Sequence, residues 1–199
     1  ELPDRQLLLT ALGAPALAAL FTEADEIMEG QVRRFGSAPV PLQLASPKPL
    51  QHWSVYETGR VELDGDIKYL WEPARFGWAC ILGRAYHVSH AEKYAQAFWK
   101  QAEIFLDSNP PYLGPQWMNG QEIALRLMAL AWAAQVFAVS PASTPERLVR
   151  LAQSILNQPD KALIEIHQLT EKAAKDPESA SLVGELPKVL QNLNAGAIA

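Results

Sequence analysis

Residues 73 to 139 carry three apolar runs at helical spacing, separated by helix-breaking residues, and this pattern confines the chain to packed helices. In the first run Phe76, Ala79, Cys80, Leu82, Gly83 and Tyr86 predict a helix from Pro73, in its first turn, to about Ser89. In the second, Tyr94, Ala97, Phe98, Gln101, Ile104 and Phe105 form the buried side of a helix over 91–107. Asn109-Pro110-Pro111 ends it, because a residue before proline resists the α region. The third helix opens at Asn119 or Gly120, runs to about Val139, and has Ile123, Leu127, Leu130, Ala131, Ala134 and Phe137 as its spine. Five of the six tryptophans and the one cysteine lie between 64 and 139, and frequent Ala and Gly let neighbouring helices pack closely.

The flanks read as follows. Two helices, 3–12 and 15–29, break at Gly13-Ala14-Pro15, with Gly30 as the stop of the second. Its stripe is Leu17, Leu20, Phe21, Ala24, Ile27 and Met28, and its acidic face of Glu23, Asp25, Glu26 and Glu29 meets solvent. Gly36, Pro39, Pro41, Pro47 and Pro49 make 36–70 a long loop, with a little β structure around Val55–Tyr56 and Val61–Leu63. His52 and Trp53 there either pin the loop to the core or stack on a sugar. Ser143-Thr144-Pro145-Glu146 starts a further helix with Leu148, Leu151, Ala152 and Ile155 inward. An interruption at 157–160, a helix over 161–175 and a weakly helical end complete a single helical domain, 1–199, of paired antiparallel hairpins.

Composition limits function less than fold. With 49% hydrophobic and 20% charged residues, a globular domain is expected. A net charge of −5 gives no footprint for nucleic acid, although a local cluster of Arg and Lys can still hold a polyanion. Cys80, being alone, excludes an internal disulfide and a multi-cysteine metal site, and FGWACILG reads as a buried run. No apolar run is read as long enough for a bilayer span, so no membrane partner is expected. The start, ELPDRQ, reads as internal or processed. His87 and His90 are three apart but lack a supporting ligand, so neither a metal nor a cofactor is expected.

Two groups carry candidate chemistry. Trp71, Glu72 and Arg75 combine a stacking platform with a guanidinium that can grip a carboxylate or sulfate, and Glu72 and Arg75 can pair across one turn. Gln116, Trp117 and Asn119 precede a helix whose free N–H groups suit an anion, and Glu122 and Arg126 share a face at i and i+4, with Arg126 directed into a polar seam. Pairing of Glu72 or Glu122 with Arg75 or Arg126 across the two groups would instead make a structural lock.

WEPARF, the AEKYAQAFWKQAEIFLDSNPP run and QWMNGQEIALRL, in this order and spacing, resemble three signatures of the N-terminal helical domain of heparinase II/III-like polysaccharide lyases. The resemblance covers roughly 20–156 and implies an incomplete α/α toroid, with 71–156 as its matching helices and 157–199 as a divergent segment. It also implies an acidic, uronate-containing polysaccharide as ligand, a periplasmic or extracellular location, and a C-terminal catalytic or β-sandwich portion as partner. Trp71, Glu72, Arg75, Gln116, Trp117, Asn119, Glu122 and Arg126 are the substrate-binding candidates. The family's later Asn-His signature and its catalytic Tyr have no counterpart after Leu156, so no catalytic residue is assigned and the chain is expected not to be a complete β-eliminating lyase. An incomplete toroid also exposes apolar faces that would support a homodimer.

Two other readings stand beside this one. A non-catalytic scaffold or protein-interaction domain would bury the tryptophans, whereas a glycan site needs Trp71, Arg75, Trp117 and Arg126 partly exposed on one concave surface. A glycoside hydrolase would need Glu72 and Glu122 facing each other across a cleft.

Overall fold

The computed structural model describes residues 4–157, all within one compact unit, Glu1–Pro159. The expectations for 158–199, including the helix over 161–175, lie outside the described residues.

Helix α1 (Arg5–Met28) begins where Asp4 accepts a hydrogen bond from the Leu7 N–H at 2.9 Å. The expected break is found: Gly13 adopts φ 69° and ψ 168°, and Pro15 restarts the helix two residues later. Ala24 and Ile27 of the expected stripe are buried, and Gly30, at φ 79°, ends the helix. Two members of the acidic face are engaged: Asp25 accepts from Lys93 Nζ and Tyr94 Oη, and Glu26 pairs with Arg33. One expectation is corrected here. By length and composition α1 is apolar enough to cross a membrane, with a mean hydropathy of 1.6 over 18 residues, because its first two-thirds carry almost no charge.

Strands β1 (Gln31–Val32) and β2 (Val40–Pro41) then pair antiparallel, Val32 opposite Val40, around a tight 3-10 turn at Arg34–Gly36. Beyond β2 the chain is mostly irregular up to α3, except for the one-turn helix α2 (Trp53–Glu57). The β structure expected at Val55–Tyr56 is thus corrected, and none is formed at 61–63. Local side chains decide it: His52 Nδ1 accepts from Ser54 N, and Thr58 Oγ1 donates back to the Ser54 carbonyl. The loop is anchored by Trp53 N donating to Tyr112 O and Gly114 N donating to Gln51 O, and by the buried Asn109 amide donating to Leu44 O.

Pro73 closes one helix rather than opening the next. Helix α3 (Lys68–Ala74) ends just beyond it, Phe76 turns the chain at φ 62°, and α4 (Gly77–Ser89) follows. A proline there leaves the Tyr69 carbonyl without its i+4 N–H, and Arg34 Nη1 fills that place at 3.1 Å. The left-handed Phe76 is offset by complete burial, edge-on to Phe105 at 5.0 Å and against Trp78 at 4.8 Å.

Helices α5 (Glu92–Ser108), α6 (Gly120–Phe137) and α7 (Pro145–Asn157) follow. Helix α4 packs against α1, α5 and α6, and α6 packs against α7. Ile104 faces solvent rather than the core. In α6 the buried spine is Ile123, Arg126, Leu130, Ala133 and Phe137, whereas Ala131 is exposed. At the centre Phe98 stacks on Phe137 at 4.5 Å, and Gly83 lets the Trp132 ring lie directly on the α4 backbone. The fold is mostly helical, as the periodicity predicts.

Candidate functional site

The two motif groups form one corner. Trp71 Nε1 donates to the Pro115 carbonyl at 3.0 Å, and Gln116 Nε2 donates to the Leu70 carbonyl at 3.1 Å. These bonds fix α3 to the 3-10 turn Pro115–Trp117 that precedes α6. Asn119 caps α6, its Oδ1 accepting from Gln121 N at 2.8 Å and Glu122 N at 3.4 Å. Two of the first-turn N–H groups that could have met an anion are therefore satisfied by this side chain.

Arg75 occupies the centre of the corner. Its Nε and Nη2 donate to the two Glu122 oxygens at 2.5 and 2.8 Å, and its Nη1 donates to Glu72 Oε2. Hydrogen bonding to Glu122 above all raises the Arg75 pKa from its ordinary value, so this group is a permanent cation. Glu122 is almost buried, its side chain 8% exposed, whereas Arg75 and Glu72 are 28% and 29% exposed. The three charges sum to −1. The lock considered from sequence is formed, and it leaves the two carboxylates on one guanidinium rather than opposed across a cleft, which corrects the hydrolase arrangement.

Arg126 lies deeper. Its guanidinium is fully buried between the Phe105 and Trp117 rings, 5.0 and 5.1 Å from their centroids, and Nη2 donates to the Gln116 carbonyl at 2.9 Å. Desolvation pushes its pKa down to about 9, with the Glu122 charge acting in the opposite direction. The expected polar seam is thus an aromatic sandwich. Gln116 Oε1 and Trp117 Nε1 are buried with no hydrogen-bond partner among the described residues.

The candidates consequently divide. Trp71, Glu72, Arg75 and Asn119 are partly exposed, whereas Gln116, Trp117, Glu122 and Arg126 are buried. Glu72 and Arg75 line a groove of about 450 Å³ with Cys80, Leu125 and Met128. Trp117 lines a different one, of about 140 Å³, with Asn109, Arg150 and Ser154. A single concave face carrying Trp71, Arg75, Trp117 and Arg126 together is not what the chain builds, because the second tryptophan and arginine complete the interior of the corner. Cys80 is only half-buried rather than fully enclosed, and desolvation raises its thiol pKa, which disfavours the thiolate. Among the described residues no group of three or more His, Cys, Asp or Glu converges as a metal site.

Sequence reasoning missed Arg34, whose contacts to Tyr69 come from 35 residues away, and Phe35 beside it. The only local signal was an Arg-Phe-Gly turn in a proline-rich stretch. Comparison with known proteins adds one positive finding: residues 51–167 match the family model described as the heparinase II/III N-terminus. The match begins later than residue 20 and continues past 156, the limits expected from the motifs. No curated protein and no solved structure matches the chain.

Proposed function

This chain belongs to the heparinase II/III N-terminus family, and from that premise we propose that it is the substrate-binding helical part of a polysaccharide lyase acting on uronate-containing chains. The observation that carries the reading is the asymmetric clamp on Arg75. Glu122 holds the guanidinium from the buried side, while Glu72 holds Nη1 from the partly exposed side. An exposed pair of this kind is worth little, about 0–1 kcal/mol, so a uronate carboxylate can take the place of Glu72 without disturbing Glu122. Trp71, one turn before Arg75 on α3 and partly exposed, has its indole N–H fixed on Pro115 and so offers a rigid ring for stacking. Glu72 then acts as a gate: its carboxylate occupies the partly exposed side of Arg75 and discriminates against weakly bound anions.

β-Elimination requires a base at the carbon bearing the uronate carboxyl and an acid at the departing glycosidic oxygen. In this reading the corner grips the carboxylate, and both proton-transfer groups come from the remaining, catalytic or β-sandwich, portion of the enzyme. The helices α3 to α7 would contribute to an incomplete α/α toroid, whose open apolar faces suit that portion or a second copy. A second reading, a scaffold that binds other proteins, draws on the burial of Trp78, Trp99 and Trp117.

Titration of tryptophan fluorescence with mannuronate and heparan oligosaccharides separates them, with absorbance followed at the unsaturated-uronate band. The lyase-domain reading expects saturable binding without an absorbance rise, lost in Arg75→Gln and tightened several-fold in Glu72→Gln. No response to any acidic glycan leaves the scaffold. An absorbance rise would show that the chain holds its own base.

A further inference from the structure

We propose a second carbohydrate subsite, for an uncharged pyranose ring, at the groove lined by Tyr69, whose ring Phe35 abuts. It rests on the reading of the chain as a polysaccharide binder, but uses none of the residues of the Arg75 corner. Phe35 and Tyr69 are 58% and 53% exposed and touch each other edge to face at 5.8 Å. They are the two aromatic side chains among the large hydrophobic residues that stand exposed in the described part.

Phe35 is held at φ 52°, in the left-handed region that costs a non-glycine residue roughly 1–2 kcal/mol. Among the described residues three other non-glycine positions have positive φ, and each has a structural return: Phe76 is buried, His90 closes α4, and Tyr112 packs on Trp117. Phe35 has no such burial. A bulky residue strained into solvent is the signature of a side chain placed for something outside the fold.

The surroundings specify what that is. A groove of about 190 Å³ next to the ring of Tyr69 is lined by Arg34, Gln43, Asp64 and Asp66. Arg34 is committed, its guanidinium 5.0 Å from the Tyr69 centroid and its Nη1 on the Tyr69 carbonyl, so it stiffens the platform. The two carboxylates and the Gln43 amide are hydrogen-bonding groups for sugar hydroxyls, and two carboxylates repel a uronate. The electropositive C–H face of a pyranose lies well on an aromatic face, whose quadrupole is negative. Exposed aromatics, and two carboxylates against the single guanidinium of Arg34, which lies over the Tyr69 ring, together select an uncharged ring. Tyr69 and Glu72 are three residues apart on α3, so the subsite lies one helical turn from the Arg75 clamp.

The test is calorimetric titration of the full chain with three uncharged probes, cellohexaose, chitohexaose and mannohexaose, and with hexamannuronate as the acidic control. Phe35→Gly and Tyr69→Ser should each weaken uncharged-probe binding about tenfold, the loss of one stacking contact. Both variants should retain hexamannuronate, and Phe35→Gly should melt no lower than the parent because glycine accepts the left-handed backbone. Arg75→Gln should show the converse pattern. The subsite is overturned if the parent binds none of the uncharged probes, or if Phe35→Gly binds them as the parent does. A Phe35→Gly protein that melts lower makes Phe35 a packing residue and equally overturns it. Insensitivity of hexamannuronate binding to Arg75→Gln, with the Phe35 effect intact, sinks the clamp and leaves this subsite standing.

Discussion

Arg75 and Glu122, 47 residues apart, meet in a two-pronged ion pair that ties the end of α3 to the first turn of α6. Glu122 is nearly buried, so its removal leaves a guanidinium held, among the described residues, by Glu72 alone. Breaking a buried pair costs about 3–5 kcal/mol, and the partial exposure of Arg75 reduces this to about 2 kcal/mol for Glu122→Ala. Glu72→Ala should cost less than about 1 kcal/mol, since both groups of that pair are over one-quarter exposed. Urea unfolding of the two single variants decides the hierarchy. Equal losses would mean that Glu72 is part of the lock and cannot serve as a gate.

Arg126 makes the clearest pH prediction. Its folded pKa is pushed down to about 9, well below the ordinary value of an arginine. Between these limits the unfolded state binds more protons than the folded one, so the Arg126 contribution to stability rises with pH. Below about pH 9 both states are protonated and the desolvation cost is carried in full. Arg126→Met removes that cost while keeping the volume between Phe105 and Trp117, and it forgoes the bond to the Gln116 carbonyl. It should lie within about 1 kcal/mol of the parent at pH 7, whereas Arg126→Ala should lose about 3 kcal/mol through its cavity. Denaturant titrations at pH 7 and 10 should show the parent gaining on Arg126→Met at the higher pH. A constant difference would contradict the depressed pKa.

The parts of the fold set by local chemistry were readable in the sequence. The Gly13–Pro15 break, the Asn109 stop, the Asn119 cap and the Thr144-Pro145 start all act within a few residues of themselves. Pro73 was misplaced because what lets it close α3 is Arg34, which arrives from a distant hairpin. Phe76 was invisible for the same reason: its left-handed turn is tolerated through burial against Phe105 and Trp78. At the candidate site, the motif residues were correctly suspected of pairing across groups. Periodicity could not show that Arg126 faces inward, because the two rings that enclose it come from α5 and from the turn before α6.

Gly83 is a packing requirement. A methyl group there would sit 2.4 and 2.6 Å from two Trp132 ring atoms, closer than any real contact. The ring lies between α4 and α6 and must move, so Gly83→Ala should cost about 2 kcal/mol despite alanine's better helix propensity. Trp132→Leu in the Gly83→Ala background should recover part of the loss, and a thermal-melt cycle over the four proteins measures the coupling. If Gly83→Ala melts at or above the parent, the close approach of these helices is wrong.

Asn119 caps α6 and is also one of the proposed substrate-binding residues, and its substitutions separate the two roles. As the cap of α6 it satisfies the N–H groups of Gln121 and Glu122, and Asn119→Ala should cost about 1 kcal/mol. Asn119→Asp keeps an acceptor in the same place and adds a charge that suits a helix N-terminus, so it should retain the parent's stability. If Asn119 belongs to the glycan site, the same charge, next to Glu122, should weaken an acidic oligosaccharide several-fold while leaving an uncharged one unaffected. Melting curves and paired titrations of the aspartate variant read both effects in one protein. Undiminished hexamannuronate binding would place Asn119 outside the glycan face and restrict it to capping, and a melt as low as that of Asn119→Ala would remove the capping role itself.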